Sequence, residues 1–364
     1  WTSFCLMHTV FAFFMRYLYF QSRKMKIRNI ILIGLSAAML ALPSCKKDKD
    51  STSTKDYVSG TLTFSSSVPT YVRKGDAFSL TPSGITHPGT GLAEDVGYYW
   101  TVSWDSAKDT TKTEADKTGD GTFKFTVPSK VGTFTVYCVA FADGYYTKTN
   151  TTSFSVVDAA LDSTVAGAYS SKDPIFVDPR DEGTYYTTTF NGKTWMKNNL
   201  YYSGSGVPYE NSEAMDAIFG RFYSWNEAVA ACPEGWHLPS DAEFVEMAEA
   251  LATKGTKFSE KETFSGVAGG MMVDAKFLGT RMWEYWPQVK ITNKAGFSAL
   301  PVGYAVDSGS SAKFTGADNY AAFWVSDPDS DFGHYRYIFV KQNDVQFGSG
   351  DKESFRASVR CVKD

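Results

Sequence analysis

The sequence predicts an all-β sandwich followed by a separate α+β domain, and three observations carry that reading. The chain has 364 residues, 43% hydrophobic and 21% charged, enough for two ordinary globular cores at roughly 150 residues per domain. Phe, Trp and Tyr make up 16% of it, and aromatic side chains pack well on pleated surfaces. Short alternating runs between turn residues fill 57–158, whereas capped helical stretches appear among Gly-rich and aromatic segments from 173 onward.

In chain order the first recognisable element is an export signal. Met25-Lys26-Ile27-Arg28-Asn29 is basic, residues 30–41 are apolar, and Leu42-Pro43-Ser44-Cys45 forms a cleavage box. About twelve apolar residues are too few for a stable bilayer-spanning helix, which needs about 20. Residues 1–24 are expected to be upstream, non-native sequence and 25–44 the signal peptide. Residues 45–56 read as a tether, because Lys46-Lys47-Asp48-Lys49-Asp50 and Ser51-Thr52-Ser53-Thr54 are charged and flexible. Cys45 in this setting resembles the lipobox cysteine of bacterial lipoproteins, whose thiol is acylated; more than one acyl chain gives stable anchoring. The charged residues after it resemble the signals that send lipoproteins of the Bacteroidota to the cell surface. The resemblance implies a lipid-anchored outer-membrane protein facing outward.

Every charge before Cys45 is basic (Arg16, Arg23, Lys24, Lys26, Arg28), so the mature chain is more acidic than the net −4 of the whole. That argues against nucleic acid as a partner, since binding phosphates requires a basic stripe.

The runs 57–64, 77–80, 97–104, 121–127, 132–142 and 151–157 read as strands. Within 133–139 the residues Phe134, Val136 and Cys138 share one face, as in a half-buried strand. Six such runs in about 100 residues predict an immunoglobulin-like sandwich over 57–158. Trp100 or Trp104 is its expected central aromatic. Cys138 has no cysteine nearby and reads as a free buried thiol. Gly132-Thr133-Phe134-Thr135-Val136 resembles the penultimate strand of polycystic-kidney-disease-type modules, which implies a spacer or adhesion unit. Residues 159–172 are small and polar and read as a linker.

The domain over 173–364 carries an ordered series of motifs. These include Asn191-Gly192-Lys193-Thr194-Trp195-Met196, Arg221-Phe222-Tyr223-Ser224-Trp225-Asn226-Glu227-Ala228, Cys232-Pro233-Glu234-Gly235-Trp236-His237-Leu238-Pro239-Ser240-Asp241, Gly296-Phe297-Ser298-Ala299-Leu300-Pro301 and Ser358-Val359-Arg360-Cys361-Val362. The series resembles the major paralogous domain family named from Fibrobacter succinogenes, which implies a domain of surface and secreted lipoproteins and supplies no catalytic residues. At a second level, Trp225-Asn226-Glu227-Ala228, Cys232, Gly235, Leu238 and the acidic helix from Asp241 resemble C-type-lectin-like folds. In that resemblance Cys361 takes the place of the partner cysteine on the closing strand. The two cysteines could instead be a nucleophile and a spare thiol, but a secreted context favours a Cys232–Cys361 disulfide. The segment also resembles formylglycine-generating sulfatase activators, whose paired reactive cysteines have no counterpart here.

Ser240 with Glu243 three residues on forms a capping box, and Pro239 ends the preceding segment. Phe244, Met247, Ala248 and Leu251 then recur at helical spacing and form the buried stripe.

His237 near Asp241 and Glu243 could be a metal site or an acid/base pair, but a structural hydrogen bond at a helix start is the commoner use. His334 and His87 are isolated. Asp327, Asp329 and Asp331 offer oxygen ligands suited to Ca²⁺, against the plainer reading of an acidic solvated loop. Met282-Trp283-Glu284-Tyr285-Trp286-Pro287 is the densest aromatic cluster. Trp283, Tyr285 and Trp286 are therefore the candidate ligand-binding residues, although core packing competes because Trp and Tyr are highly buried on average. No motif assembles a nucleophile, base and orienting group, and no cofactor or metal site is expected. The sequence thus points to a non-enzymatic surface lipoprotein that meets glycan or protein, with a structural or accessory subunit of a pilus or envelope assembly as the alternative.

Overall fold

The computed structural model describes residues 55–364 apart from 66–68, 106–111, 116–120, 159–164 and 310. Cys45, the signal segment 25–44, residues 1–24 and all but the end of the tether lie outside the described residues. What is described is mostly β-structure.

The first nine strands are β1 (Ser59–Phe64), β2 (Tyr71–Arg73), β3 (Ala77–Leu80), β4 (Pro82–Thr86), β5 (Gly97–Asp105), β6 (Lys112–Ala115), β7 (Phe123–Thr126), β8 (Gly132–Phe141) and β9 (Lys148–Val157). One sheet runs β2-β9-β8-β5-β6, and the ribbons β1–β4 and β3–β7 pack against it. The alternation in β8 sets the layering: Phe134, Val136 and Cys138 are fully buried, while Thr133 and Thr135 pair with Ser155 and Ser153 across the strand on the other face. Trp100 is the central aromatic. Its ring lies between Phe64 and Phe123 at 5.5 and 5.1 Å, and its indole N–H donates to the Gly121 carbonyl at 2.8 Å, which satisfies the one polar atom that burial would otherwise strand. Trp104 is also buried, stacked on Phe134. Cys138 is free, and burial pushes its thiol up to about 12.

Of the expected linker, residues 165–172 are built into the second domain. β10 (Val165–Ala166) pairs with β17 (Lys276–Phe277), and Val165 and Ala168 are buried. The first sheet also meets this domain directly. Tyr71 on the edge strand β2 packs on Tyr209 and Phe277 at 6.0 and 5.9 Å, the Ser212 hydroxyl donates to the Tyr71 carbonyl at 2.7 Å, and Arg73 donates to the Glu213 carbonyl. Each body has a core of its own, a third cluster joins Val157 of β9 and Tyr71 of β2 to Phe277 and Tyr209 of the second domain, and residues Lys55–Asp364 form one compact unit.

In the second domain, here the head, one sheet is β11 (Ile175–Val177), β12 (Thr184–Phe190), β13 (Lys193–Met196), β25 (Val362–Lys363) and β16 (Trp236–His237), in that order. The other runs β20 (Ala312–Ala317), β19 (Val302–Asp307), β21 (Tyr320–Val325), β22 (Gly333–Phe339) and β23 (Val345–Gly350), with β24 (Phe355–Arg356) also on β19. Small ribbons are β14 (Val207–Pro208) with β15 (Arg221–Phe222), and β17 with β18 (Thr280–Arg281).

Four α-helices accompany them among the described residues: α1 (Asp216–Phe219), α2 (Trp225–Ala228), α3 (Asp241–Leu251) and α4 (Ala268–Met271). Only α3 exceeds a single turn. It begins at the expected capping box, with Ser240 and Glu243 exchanging side-chain-to-backbone bonds, and buries Phe244, Met247 and Ala248, while Leu251 packs partly. Ser224 and Glu227 form a second capping box at α2.

The last ten residues thread between these parts. Ala357 exchanges backbone bonds with Tyr223, Ser358 pairs with β21, Val359 and Cys361 accept from the backbone of Leu200 and Met196, and Val362 bridges β13 and β16. Cys361 is bonded to Cys232 with the Cα atoms 5.8 Å apart and a sequence separation of 129. Closing so long a loop removes unfolded-state freedom worth about 4 to 5 kcal/mol on the chain-entropy account.

Arg360 lies fully buried within this thread and has no carboxylate partner among the described residues. Its guanidinium donates to Asn199 Oδ1 at 2.7 Å and to the carbonyls of Met196, Phe297 and Ser298 at 3.2, 2.5 and 3.1 Å. It also lies 4.7 Å from the Phe297 ring centre. Ser298 turns its carbonyl inward from a left-handed backbone (φ 54°), held there by Asn293, whose side chain accepts from Ser298 N at 2.9 Å. The Gly296-Phe297-Ser298 motif is thereby explained as an Arg360 receptor. Arg360→Met should leave these four acceptors buried and unpaired and cost about 4 kcal/mol or more. Urea denaturation measures it, and an unchanged midpoint would refute the assignment.

Candidate functional site

The three candidate rings of the 283–286 segment do not form one exposed platform. Trp283 is 1% exposed. Its indole N–H donates to the Ala299 carbonyl at 3.1 Å, within the core that holds Phe244 and Phe297. Its apolar area is too large to leave in water when a buried carbonyl can take its polar atom. Trp286 is half-buried against the same core, with Lys341 5.7 Å above its ring. Tyr285 alone is well exposed, at 62%, and Arg281 covers it at 5.7 Å. The segment is irregular, so an alternating or helical pattern could not sort these rings. Trp283→Ala should therefore cost about 3 to 5 kcal/mol, and Tyr285→Ala less than about 0.5; thermal melts of the two variants check the pair.

The ionisable clusters are tied into structure. Asp241, at the first turn of α3, holds the fully buried Arg336 through two bonds of 2.5 and 2.7 Å. Arg336 also donates to the Glu262 carbonyl and stacks 3.7 Å from the Phe264 ring centre. Asp327 accepts from Lys261 and His334, both at 2.8 Å, and the Lys261 hydrogen bond, the largest influence, lowers its pKa. Asp329 and Asp331 remain at the surface. Among the described residues no three His, Cys, Asp or Glu side chains are arranged to hold a metal ion.

Asp241 gives its carboxylate to Arg336 and the Lys261 backbone, not to His237. The His237 Nδ1 meets Asp364 at 2.6 Å and its Nε2 meets both Glu243 oxygens at 3.1 Å. Burial lowers the His237 pKa, but hydrogen bonds and charge from Asp364 and Glu243 outweigh it and leave the value raised. A raised folded-state value means the imidazolium stabilises the fold below about pH 6.5 and loses that contribution as pH rises through the folded value. The side chain is 42% exposed, so the effect is about 1 kcal/mol at most. Stability measured from pH 6 to 8 should fall in the wild type, and His237→Gln should flatten that slope.

The arrangement that sequence reading missed is on the sheet face opposite Arg336 and Ile338. There Tyr335 and Tyr337 of β22 stand beside Tyr304 of β19, Tyr320 of β21 and Phe355 of β24, all half-buried. Tyr335 stacks on Phe355 at 4.7 Å, Tyr320 on Tyr337 at 5.0 Å and Tyr304 on Phe355 at 5.2 Å. The neighbouring strand makes room for them. A Cβ at Gly348 would lie 2.6 Å from the Tyr335 ring, and one at Gly350 would lie 2.7 Å from Phe355. The Tyr337 hydroxyl donates to Gln346 at 2.5 Å. The signal in the sequence was the alternation Tyr335-Arg336-Tyr337 followed by Gly348 and Gly350 at spacing two.

This geometry defines the head as a β-rich domain closed by a disulfide, with one aromatic sheet face. Residues 185–363 match the model of the Fibrobacter succinogenes major domain family. No curated protein matched the chain.

Proposed function

We propose that this chain is a lipid-anchored protein of the outer cell surface whose head binds glycan or protein without chemical turnover. On this reading Cys45 carries the anchor and the first nine strands form an immunoglobulin-like spacer. The head is a C-type-lectin-like variant, as the α2 and α3 capping boxes and the Cys232–Cys361 bridge to the closing strand favour. The observation that carries the reading is the half-buried tyrosine face. Five half-buried aromatics on one sheet face stay in contact with solvent and offer large amphipathic area at little conformational cost.

Two measurements test it. Cys45→Ser should give an uncleaved or unlipidated form that leaves the membrane fraction; unchanged fractionation and mass would refute the anchor. Cells carrying the chain should adhere to glycan-coated or matrix-protein-coated surfaces, and Tyr337→Ala should abolish that adhesion. Equal adhesion by the variant would remove the face from the reading.

One observation favours the accessory-subunit alternative. Edge strand β11 exposes Ile175 and Val177, at 60% and 49%, a pattern suited to strand addition by a partner. Stable co-purification lost on Ile175→Lys would favour that alternative.

A further inference from the structure

Resting on that reading, we infer that the face formed by Tyr304, Tyr320, Tyr335, Tyr337 and Gln346 takes an uncharged, hydroxyl-rich saccharide. Charge is the first argument. Arg356 beside the face is paired, with Asp307 through Nε at 2.7 Å and with Glu227 through Nη1 at 2.6 Å, and Lys352 is turned onto the Trp225 ring at 4.0 Å. The face itself carries only phenols, a phenyl ring and an amide. Burial raises the Tyr320 and Tyr335 phenols, which keeps them uncharged. The rings and amide of the face thus offer a polyanion or an acidic protein surface no charged partner of their own.

Hydrogen-bonding capacity is the second argument. The Tyr304 hydroxyl makes no hydrogen bond within the described residues, although its ring is packed between Tyr320 and Phe355 at 5.3 and 5.2 Å. A partly buried hydroxyl with a fixed ring and no internal partner is suited to a ligand hydroxyl. Beside it the stacked rings present carbon surface, and Tyr337 with Gln346 presents a fixed polar pair. Carbon faces flanked by convergent hydroxyl-bonding groups match the alternating C–H and O–H faces of a sugar ring. The pairs Gly348–Tyr335 and Gly350–Gly333 across β22 and β23 keep the approach low.

The test uses the full chain in detergent on an array of neutral and acidic glycans. Retention of a neutral glycan, unchanged by added salt, is the expected result, because no ion pair is made. Tyr304→Ala and Tyr337→Ala should weaken it at least about tenfold, while Tyr285→Ala should not. Should the aromatic variants melt early, Gln346→Arg blocks the same face without removing a ring and should show the same loss. Preference for acidic glycans with steep salt dependence would overturn the ligand class. Neutral-glycan binding indifferent to all three substitutions would overturn the site. No glycan retained by natively melting protein would overturn the inference and leave protein binding by the head standing; loss of cell adhesion to every surface would instead overturn that broader reading.

Discussion

Arg360 is the interaction on which the head depends. A guanidinium with no exposed surface and no acid beside it is expensive to bury, and burial lowers its pKa to about 10, still high enough to keep the charge at neutral pH. The cost is offset by four acceptors and two aromatic faces drawn from three distant parts of the chain. Each acceptor must be held in place by its own neighbours: Asn199 also donates to the Phe219 carbonyl, and Ser298 is fixed by Asn293 and by its hydroxyl bond to the Ala168 carbonyl. The charge therefore acts as a specificity device. A misregistered last strand would strand it.

Around that centre the head has little regular helix and many short strands, so its order comes from long-range pairing. Arg336–Asp241 ties β22 to the start of α3, and Arg356 ties β24 to both β19 and the α2 capping box. His237 ties the closing strand to α3 in the same way. Each clamp joins segments far apart in sequence, which is costly in loop closure and explains why a disulfide across 129 residues is useful here.

What could be read from the sequence was whatever is local. The α3 capping box, its apolar stripe and the alternation of β8 each lie within a few residues and appeared as expected. The cysteine pairing was legible through the resemblance of the surrounding motifs. The fate of Trp283 was not, because it depends on a carbonyl 16 residues away. Nor were the partners of Arg336 and Arg360, which sit 62 to 164 residues distant. The tyrosine face fell between these cases: its period-two signal is local, but which side of β22 looks outward is decided by Arg336 and Ile338 finding the core. The linker was misread over 165–172 for the same reason, since small polar residues give no hint of the strand β17 that Val165 pairs with.

Cys138 has a use that follows from its setting. Among the described residues it is the one cysteine outside the disulfide, fully enclosed in the first sheet and far from ionising at neutral pH. A thiol reagent can reach it only when β8 comes away from its neighbours, while the Cys232–Cys361 bridge ignores the same reagent. The molecule thus carries its own clock for the opening of the first sheet, read at a single thiol while the bridge in the head stays closed.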